Sequence, residues 1–457
     1  MRIAKKRWEL DEIINIFMSS YKNIIPTHEN KNKILSQSDI LKIWDRNQEE
    51  SESKRPKGAW DKRTSSLVIF LYPGEGLKPI SGFSLKPSVK LLPEDINFAR
   101  AFSKVFNQDL SLCGDISKTD EIWSALRITQ FLRAISRFTH FRSISVSRWI
   151  RTMERSMFLT YEGKTVKHII LLPYSFEQTL NKLQDSYIKL RKSLTIEQAL
   201  LEEKWIRAVV DGHRVALLAS KKSSGTINGF ISLPEIKVKK NINSYAPHES
   251  LEDLQSVLEK NDMAFVATSS GDILILLGTG IVFNKTQGKW RYLNYNHFHQ
   301  ILADFVEEKV INSIISMVLN LSFERKGALI IILKVKQNLK FLVSDYARDI
   351  QANQYLRKAL KGLDVSNRSE KQIITAASTI DGAIIFDQLG KVLDVACMIG
   401  KVNEEQMKKL NIADQKVFPG SRTNAAWKAS LFGIAIKISS DGEISVFSEG
   451  KILWEIG

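Results

Sequence analysis

Residues 381–400 read DGAIIFDQLGKVLDVACMIG. Two short apolar runs flank a polar turn at Gln388–Gly390, which predicts two strands joined as a hairpin. Upstream, GALIIILK (327–334) is an unbroken apolar run. It has no period-2 alternation, as expected of a strand buried on both faces. Downstream, FPGSRTNAAWKASLFG (418–433) contains no alternation either; Ser421 is a plausible N-cap and a helix is predicted to follow. GIAIKIS, EISVFSE and KILWEIG then predict three closing strands. Ahead of the set, His297–Leu321 fits one amphipathic helix, and 344–361 and Asn403–Leu410 are also predicted helical. The fold class expected for 295–457 is α/β, a mixed central β-sheet flanked by helices.

Working toward the N-terminus, HIILLPY (168–174) is predicted as a buried strand and 175–206 as helical. Period-2 segments then dominate to residue 290, with Asp211-Gly212 and Gly271-Asp272 as hairpin turns. Residues 165–290 are therefore expected to form a mixed α/β domain, linked to the next one near Lys285–Tyr295. Residues 1–160 are expected to be a separate, helix-rich domain: Trp8–Tyr21, Ser38–Trp44, 95–107 and 121–155 are predicted helical. SLVIFLY (66–72) is predicted as a strand, and 47–63 as a loop around Pro56 and Gly58.

The 457 residues suit two to four domains. Hydrophobic residues at 44% and charged residues at 25% exclude a disordered or collagen-like chain. No apolar run approaches the ~18–20 residues of a membrane span. MRIAKKRWEL has no apolar segment behind its charges, so no signal peptide is expected. Cys113 and Cys397 are the only cysteines. They suggest neither a disulfide framework nor a thiolate metal site, and a cytoplasmic setting without membrane contact is expected.

The net charge is +16. Residues 295–457 hold 21 basic and 18 acidic side chains, a net of +3, which leaves +13 on residues 1–294. The densest stretch is 127–155, with Arg127, Arg133, Arg137, Arg142, Arg148, Arg151 and Arg155 among Phe131, Phe138, Phe141 and Trp149. Arg133/Arg137 and Arg151/Arg155 at i,i+4 would stripe a helix, a surface suited to nucleic acid or another polyanion. The plainer alternative is a solvated helix face over buried aromatics.

Two clusters carry candidate chemistry. Asp381-Gly382-Ala383 opens a buried strand, where a carboxylate can hold a divalent metal or take a proton from a hydroxyl. Gly420-Ser421-Arg422-Thr423-Asn424 opens a helix, where amides, a hydroxyl and a guanidinium suit phosphate. A surface Asp-Gly turn and an ordinary helix cap are the structural alternative. The histidines are scattered and form no catalytic set, and Gly278-Thr279-Gly280 is an isolated glycine turn.

The succession GALIIILK, DGAIIFDQLGKVLDVACMIG, FPGSRTNAAWKASLFGIAIKISSDGEISVF resembles the diadenylate cyclase domain over about 295–457. Residues 165–290 are more distantly similar to the sensor-like domain that precedes the cyclase in some members. The resemblance implies a nucleotidyltransferase that condenses two ATP, or other NTPs, into cyclic di-AMP or a related second messenger. It implies Mg²⁺ or Mn²⁺ as cofactor, and a homo-oligomer with face-to-face cyclase domains. Asp381 would bind metal and help activate the ribose 3′-hydroxyl, and Gly382 and Ala383 would line the nucleotide. Met398 and Ile399 would lie on the adenine face, while Gly420, Ser421 and Arg422 would hold phosphate. Thr423 and Asn424 replace the family's His-Arg, and Ser439-Ser440 its Ser-Glu. Ser440 and the adjacent Asp441 are the remaining metal candidates. Two other readings stay open: a catalytically degenerate nucleotide-binding regulator, and a nucleic-acid-binding protein acting through 127–155.

Overall fold

The computed structural model describes residues 33–49, 58–61, 63–71, 79, 81–87, 90–112, 119–139, 141, 145–221, 225–233, 245–343, 353–401 and 404–456. The chain divides into two compact units, residues 1–242 with 253–294, and residues 243–252 with 295–457. Both are mixed α/β. Among the described residues no helix is long and apolar enough to cross a membrane.

Among its described residues, the first unit starts with β1 (Lys33–Ile34), α1 (Gln37–Glu49), β2 (Gly58–Asp61), β3 (Ser66–Leu71) and β4 (Ser81–Leu85), whose strands form an antiparallel sheet in the order β1-β4-β3-β2. Helices α2 (Pro93–Leu112), α3 (Thr119–Phe138) and α4 (Val146–Ser156) follow, then a small hairpin, β5 (Thr160–Tyr161) and β6 (Lys164–Thr165). The main sheet comprises β7 (His168–Leu172), β8 (Tyr187–Leu194), β9 (Val215–Ser220), β10 (Thr226–Ser232), β11 (Met263–Ala267), β12 (Ile273–Leu277), β13 (Ile281–Thr286) and β14 (Lys289–Asn294). Its order is β14-β13-β12-β11-β7-β9-β10-β8, antiparallel except for β7 beside β9. The runs HIILL, MAFVA and ILILL are buried at every position, as central strands covered on both faces require.

One hydrophobic cluster runs from Leu67 through Phe98 and Phe131 to Phe283 and Tyr292. Phe98 stacks on Tyr292 with centroids 4.9 Å apart. Buried Asp95, at the start of α2, accepts hydrogen bonds from Tyr292 Oη and Asn294 Nδ2 at 2.7 and 2.8 Å. The division expected near 160–165 therefore does not fall between two cores: the helices of the first stretch pack on the sheet of the second.

Local expectations fail where polar sequence forms strands. Residues 187–194 (YIKLRKSL) are an edge strand and not helix, paired with β10 through Ile188–Phe230. The expected linker 285–295 is the β13–β14 hairpin that ends the sheet, with the turn at Gln287-Gly288. Asp211-Gly212 is no hairpin turn. It joins α5 (Lys204–Val209) to β9, and Asp211 Oδ1 accepts the backbone N–H groups of His213, Arg214 and Val215. Gly58–Asp61, expected as loop, pairs with β3. The helix expected at 8–21 and the segment 344–352 lie outside the described residues.

The second unit contains α6 (Asn296–Ala303), α7 (Glu308–Phe323), β15 (Ala328–Leu333), α8 (Leu339–Leu342), α9 (Gln354–Leu360), α10 (Arg368–Ala377), β16 (Ala383–Phe386), β17 (Val392–Cys397), α11 (Glu404–Lys409), α12 (Ser421–Ala429), β18 (Gly433–Ile438), β19 (Ile444–Ser448) and β20 (Lys451–Ile456). Its six-stranded sheet has the order β17-β16-β15-β18-β19-β20, with β15 and β16 parallel and the other pairs antiparallel. Leu329, Ile331 and Ala435 face a cluster with Trp427 and Ala426 of α12. The alternate residues Ile330, Ile332 and Ile434 are equally buried. The single helix expected over 297–321 is two, broken at Asp304–Glu307, although Phe305 and Val306 continue the apolar pattern.

Candidate functional site

Strand direction sets what meets at each end of the six-stranded sheet. Ile330 lies opposite Ile384 in the parallel pair, so Ala328 and Gly382 sit level at one end. Ala328 faces Ile438 across the antiparallel pair, and Ala383 faces Cys397. Helix α12 leads into β18 and packs back along the sheet, so its N-terminus returns to this same end. The guanidinium of Arg422 lies against Gly327, immediately before β15. The Asp381–Ala383 start, the Cys397–Ile399 end, the Gly420–Arg422 helix start and the Ser439–Gly442 turn therefore share one end of the sheet.

Asp381 is exposed, and Ala383 is buried in β16. Gly382 has φ +108, and a Cβ there would stand 2.6 Å from Ala396 C and 2.7 Å from Cys397 N. Close approach of β17 is thus a structural reason for this glycine. Met398 is 47% exposed at the strand end. Ile399 instead pairs with Val343 in an isolated bridge and packs on the core beneath α12.

The cap of α12 differs from expectation. Gly420, at φ +97, is the N-cap, and Ser421 is the first helical residue, with no side-chain cap. The left-handed φ at this corner is one glycine adopts without strain. Asn424 closes its own loop: Oδ1 accepts from Phe418 N at 2.9 Å, while Nδ2 donates to Phe418 O at 2.7 Å and Gly420 O at 2.9 Å. It holds the corner rather than presenting its amide outward. Buried Trp427 anchors the helix by donating from Nε1 to Gly450 O at 2.9 Å.

The Ser439–Gly442 turn is held by its own hydrogen bonds and by one from α7. Ser439 Oγ accepts from Asp441 N and Glu443 N, and Ser322 of α7 donates to Gly442 O. Ser440 and Asp441 are both exposed in this turn. Gly382 and Ile438 are two strands apart, roughly 10 Å at the usual strand spacing. Among the described residues no group of three or more His, Cys, Asp or Glu side chains gathers to hold a metal. A divalent ion at this end would rest on the Asp381 carboxylate and substrate phosphates, as Mg²⁺ commonly does, and not in an all-protein cage.

Sequence reading missed the ion pair between Arg357 of α9 and Asp394 of β17. Arg357 Nε donates to Asp394 Oδ1 and Nη2 to Oδ2, each at 2.7 Å. Burial pushes the Asp394 carboxyl up. Hydrogen bonds from Arg357 and Val395 N–H, with the Arg357 charge, outweigh this and hold it below the usual carboxylate range. Burial, reinforced by Asp394, pushes the neighbouring Cys397 thiol up, so it is a poor nucleophile. The two residues of the ion pair are 37 positions apart, and no local pattern connects them.

In the first unit the arginine stripe is partly used internally. Arg133 makes a bidentate pair with Asp109 at 2.6 and 2.8 Å. Arg137 donates to Gln108, and Arg148 pairs with Glu197. Arg151 and Arg155 are exposed. No family model matches the chain, and no curated protein matches it.

Proposed function

We propose that residues 295–457 form a nucleotidyltransferase that condenses two ATP into cyclic di-AMP, or a related cyclic dinucleotide, with release of pyrophosphate. The supporting observation is that Asp381–Ala383 and Gly420–Arg422, 37 or more residues apart in sequence, come to one end of one sheet, with Arg422 lodged against Gly327. In each half-reaction a ribose 3′-oxygen attacks the α-phosphorus of the other nucleotide. A new P–O bond forms, the bond to the β-phosphate oxygen breaks, and pyrophosphate leaves. Asp381 takes the hydroxyl proton. Ser421, Arg422 and the first amides of α12 hold the phosphates. Mg²⁺ or Mn²⁺ would be held by Asp381 and the phosphates and would supply charge neutralisation. Each site provides half of the reactants, so two copies face one another in a cytoplasmic homo-oligomer, regulated by the N-terminal unit.

A second reading is a nucleotide-binding regulator without turnover. It is favoured by the Asn424 amide, which is closed on its own loop, and by Ser440 and Asp441, which lie in a turn apart from Asp381. The test is one incubation series. The full chain is mixed with ATP, GTP or all four NTPs, with Mg²⁺ or Mn²⁺, and analysed by mass spectrometry beside Asp381→Ala. A cyclic dinucleotide lost in the variant supports the cyclase. Bound nucleotide without product supports the regulator. Neither binding nor product rejects both.

A further inference from the structure

We infer that the second unit carries a second anion site, a cleft along β17 that shares no lining residue with the Asp381–Arg422 end and takes a small oligophosphate, either pyrophosphate or the phosphate chain of a nucleotide. The cleft has a volume of about 590 Å³, within the range of small-ligand pockets. Arg357, Lys358 and Lys361 line one wall, from α9 and the residue after it. Lys336 and Lys340, beyond the end of β15, line the other, and Leu393 and Asp394 of β17 lie between.

Charge decides the ligand class. Asp394 is matched by Arg357, and Asp387 by Lys336 at 2.7 Å. Among the described residues, five cations against these two carboxylates leave a surplus of three, represented by Lys340, Lys358 and Lys361, all exposed. Like charges concentrated in a concave site repel one another and focus a positive potential into it; a multivalent anion relieves both. A surplus of three suits a di- or triphosphate better than a carboxylate or a single phosphate. The bidentate Arg357–Asp394 pair fixes α9 on β17, so this wall is formed before the anion arrives. A local cleft of this size seats a small ligand, whereas a nucleic acid backbone follows an extended groove or stripe.

The probe is inorganic pyrophosphate, titrated calorimetrically at low salt into the full chain carrying Arg422→Ala, which disables the phosphate contact at the sheet end. In that background Lys340→Gln/Lys358→Gln/Lys361→Gln is expected to weaken binding about 30-fold, at the modest contribution typical of each exposed ion pair. Lys408→Gln/Lys409→Gln/Lys451→Gln removes the same charge elsewhere and is expected to leave binding unchanged. Thermal unfolding confirms that both triples fold. If the cleft triple is unfolded, Lys358→Gln and Lys361→Gln are read singly, each with about a threefold loss. Equal weakening in both triples, unchanged binding in the cleft variant, or no saturable binding in the parent overturns the site. A DNA duplex that displaces pyrophosphate at equal phosphate concentration overturns the small-anion assignment.

Discussion

The guanidinium of Arg422 lies so close to Gly327 that a Cβ at 327 would collide with Nη1 and stand 3.1 Å from Cζ. A side chain from the helix corner is thus seated over the start of the central strand, and only a residue without a Cβ leaves it there. The obstructing group is the end of a flexible side chain, so Gly327→Ala costs little stability, within about 1 kcal/mol. It does move the guanidinium. If Arg422 holds phosphate, Gly327→Ala lowers ATP affinity by about tenfold, the worth of one charge-assisted hydrogen bond, with the melting temperature nearly unchanged. Unaltered affinity would remove Arg422 from the phosphate site.

Gly382 is the opposite case. Its φ is +108, and the atoms a Cβ would meet are the backbone of Ala396 and Cys397. Neither can yield without moving β17. Gly382→Ala is expected to destabilise the second unit by about 2 kcal/mol or more, through both backbone strain and overlap. Urea unfolding measures this. A Gly382→Ala protein as stable as the parent would mean that β17 has room to shift.

The parts of this fold that were legible in sequence are those where burial is symmetrical or turns are glycine-marked. GALIIILK reads as a central strand because both of its faces are covered, and Gln388–Gly390 reads as a turn because Gly390 takes φ +76. The strand at 187–194 was illegible: as an edge strand its charged residues sit in water, and Lys189, Arg191 and Lys192 blur the alternation. The β13–β14 hairpin was hidden the same way by polar residues around Gln287-Gly288. For the candidate site, residue types were legible and partnerships were not. Nothing local to Asn424 reveals that its amide closes on Phe418, and nothing local to Arg133 that it meets Asp109. Such pairings are set by how elements pack, after the sequence pattern has done its part.

Arg357 and Asp394 form the best-shielded ion pair described, with side-chain exposures of 11% and 16%. Removing one partner leaves the other charge half-buried and unmatched, so Asp394→Ala is expected to cost about 2–4 kcal/mol. Arg357→Leu/Asp394→Leu, which removes both charges, is expected to cost less than Asp394→Ala. The folded carboxyl titrates below its unfolded value. Its contribution is therefore complete above the unfolded value of about 3.9 and is lost as pH falls through the folded one. Denaturant midpoints from pH 7 to 3 for the parent and the double variant measure it. A double variant less stable than Asp394→Ala would contradict this account.

His168 opens β7 with no exposed surface, and neither ring nitrogen has a hydrogen-bond partner among the described residues. Burial, with a smaller contribution from the Arg207 charge, pushes its pKa down to about 4. In the unfolded chain the ring titrates near 6.5. Between those values the unfolded state binds a proton that the folded state refuses, so stability falls as pH drops from about 6.5 toward 4. The full drop amounts to about 3 kcal/mol at the standard conversion per pKa interval. Replacing a buried, unpaired ring with a hydrocarbon removes the proton uptake and the unsatisfied nitrogens together. His168→Leu is accordingly expected to be at least as stable as the parent at pH 7.5, within about 1 kcal/mol of packing loss. Its advantage should widen at pH 5. Unfolding midpoints of the two proteins at both pH values decide the matter. Parallel pH dependence would mean that the ring is protonated in the fold and that the acid sensitivity lies elsewhere.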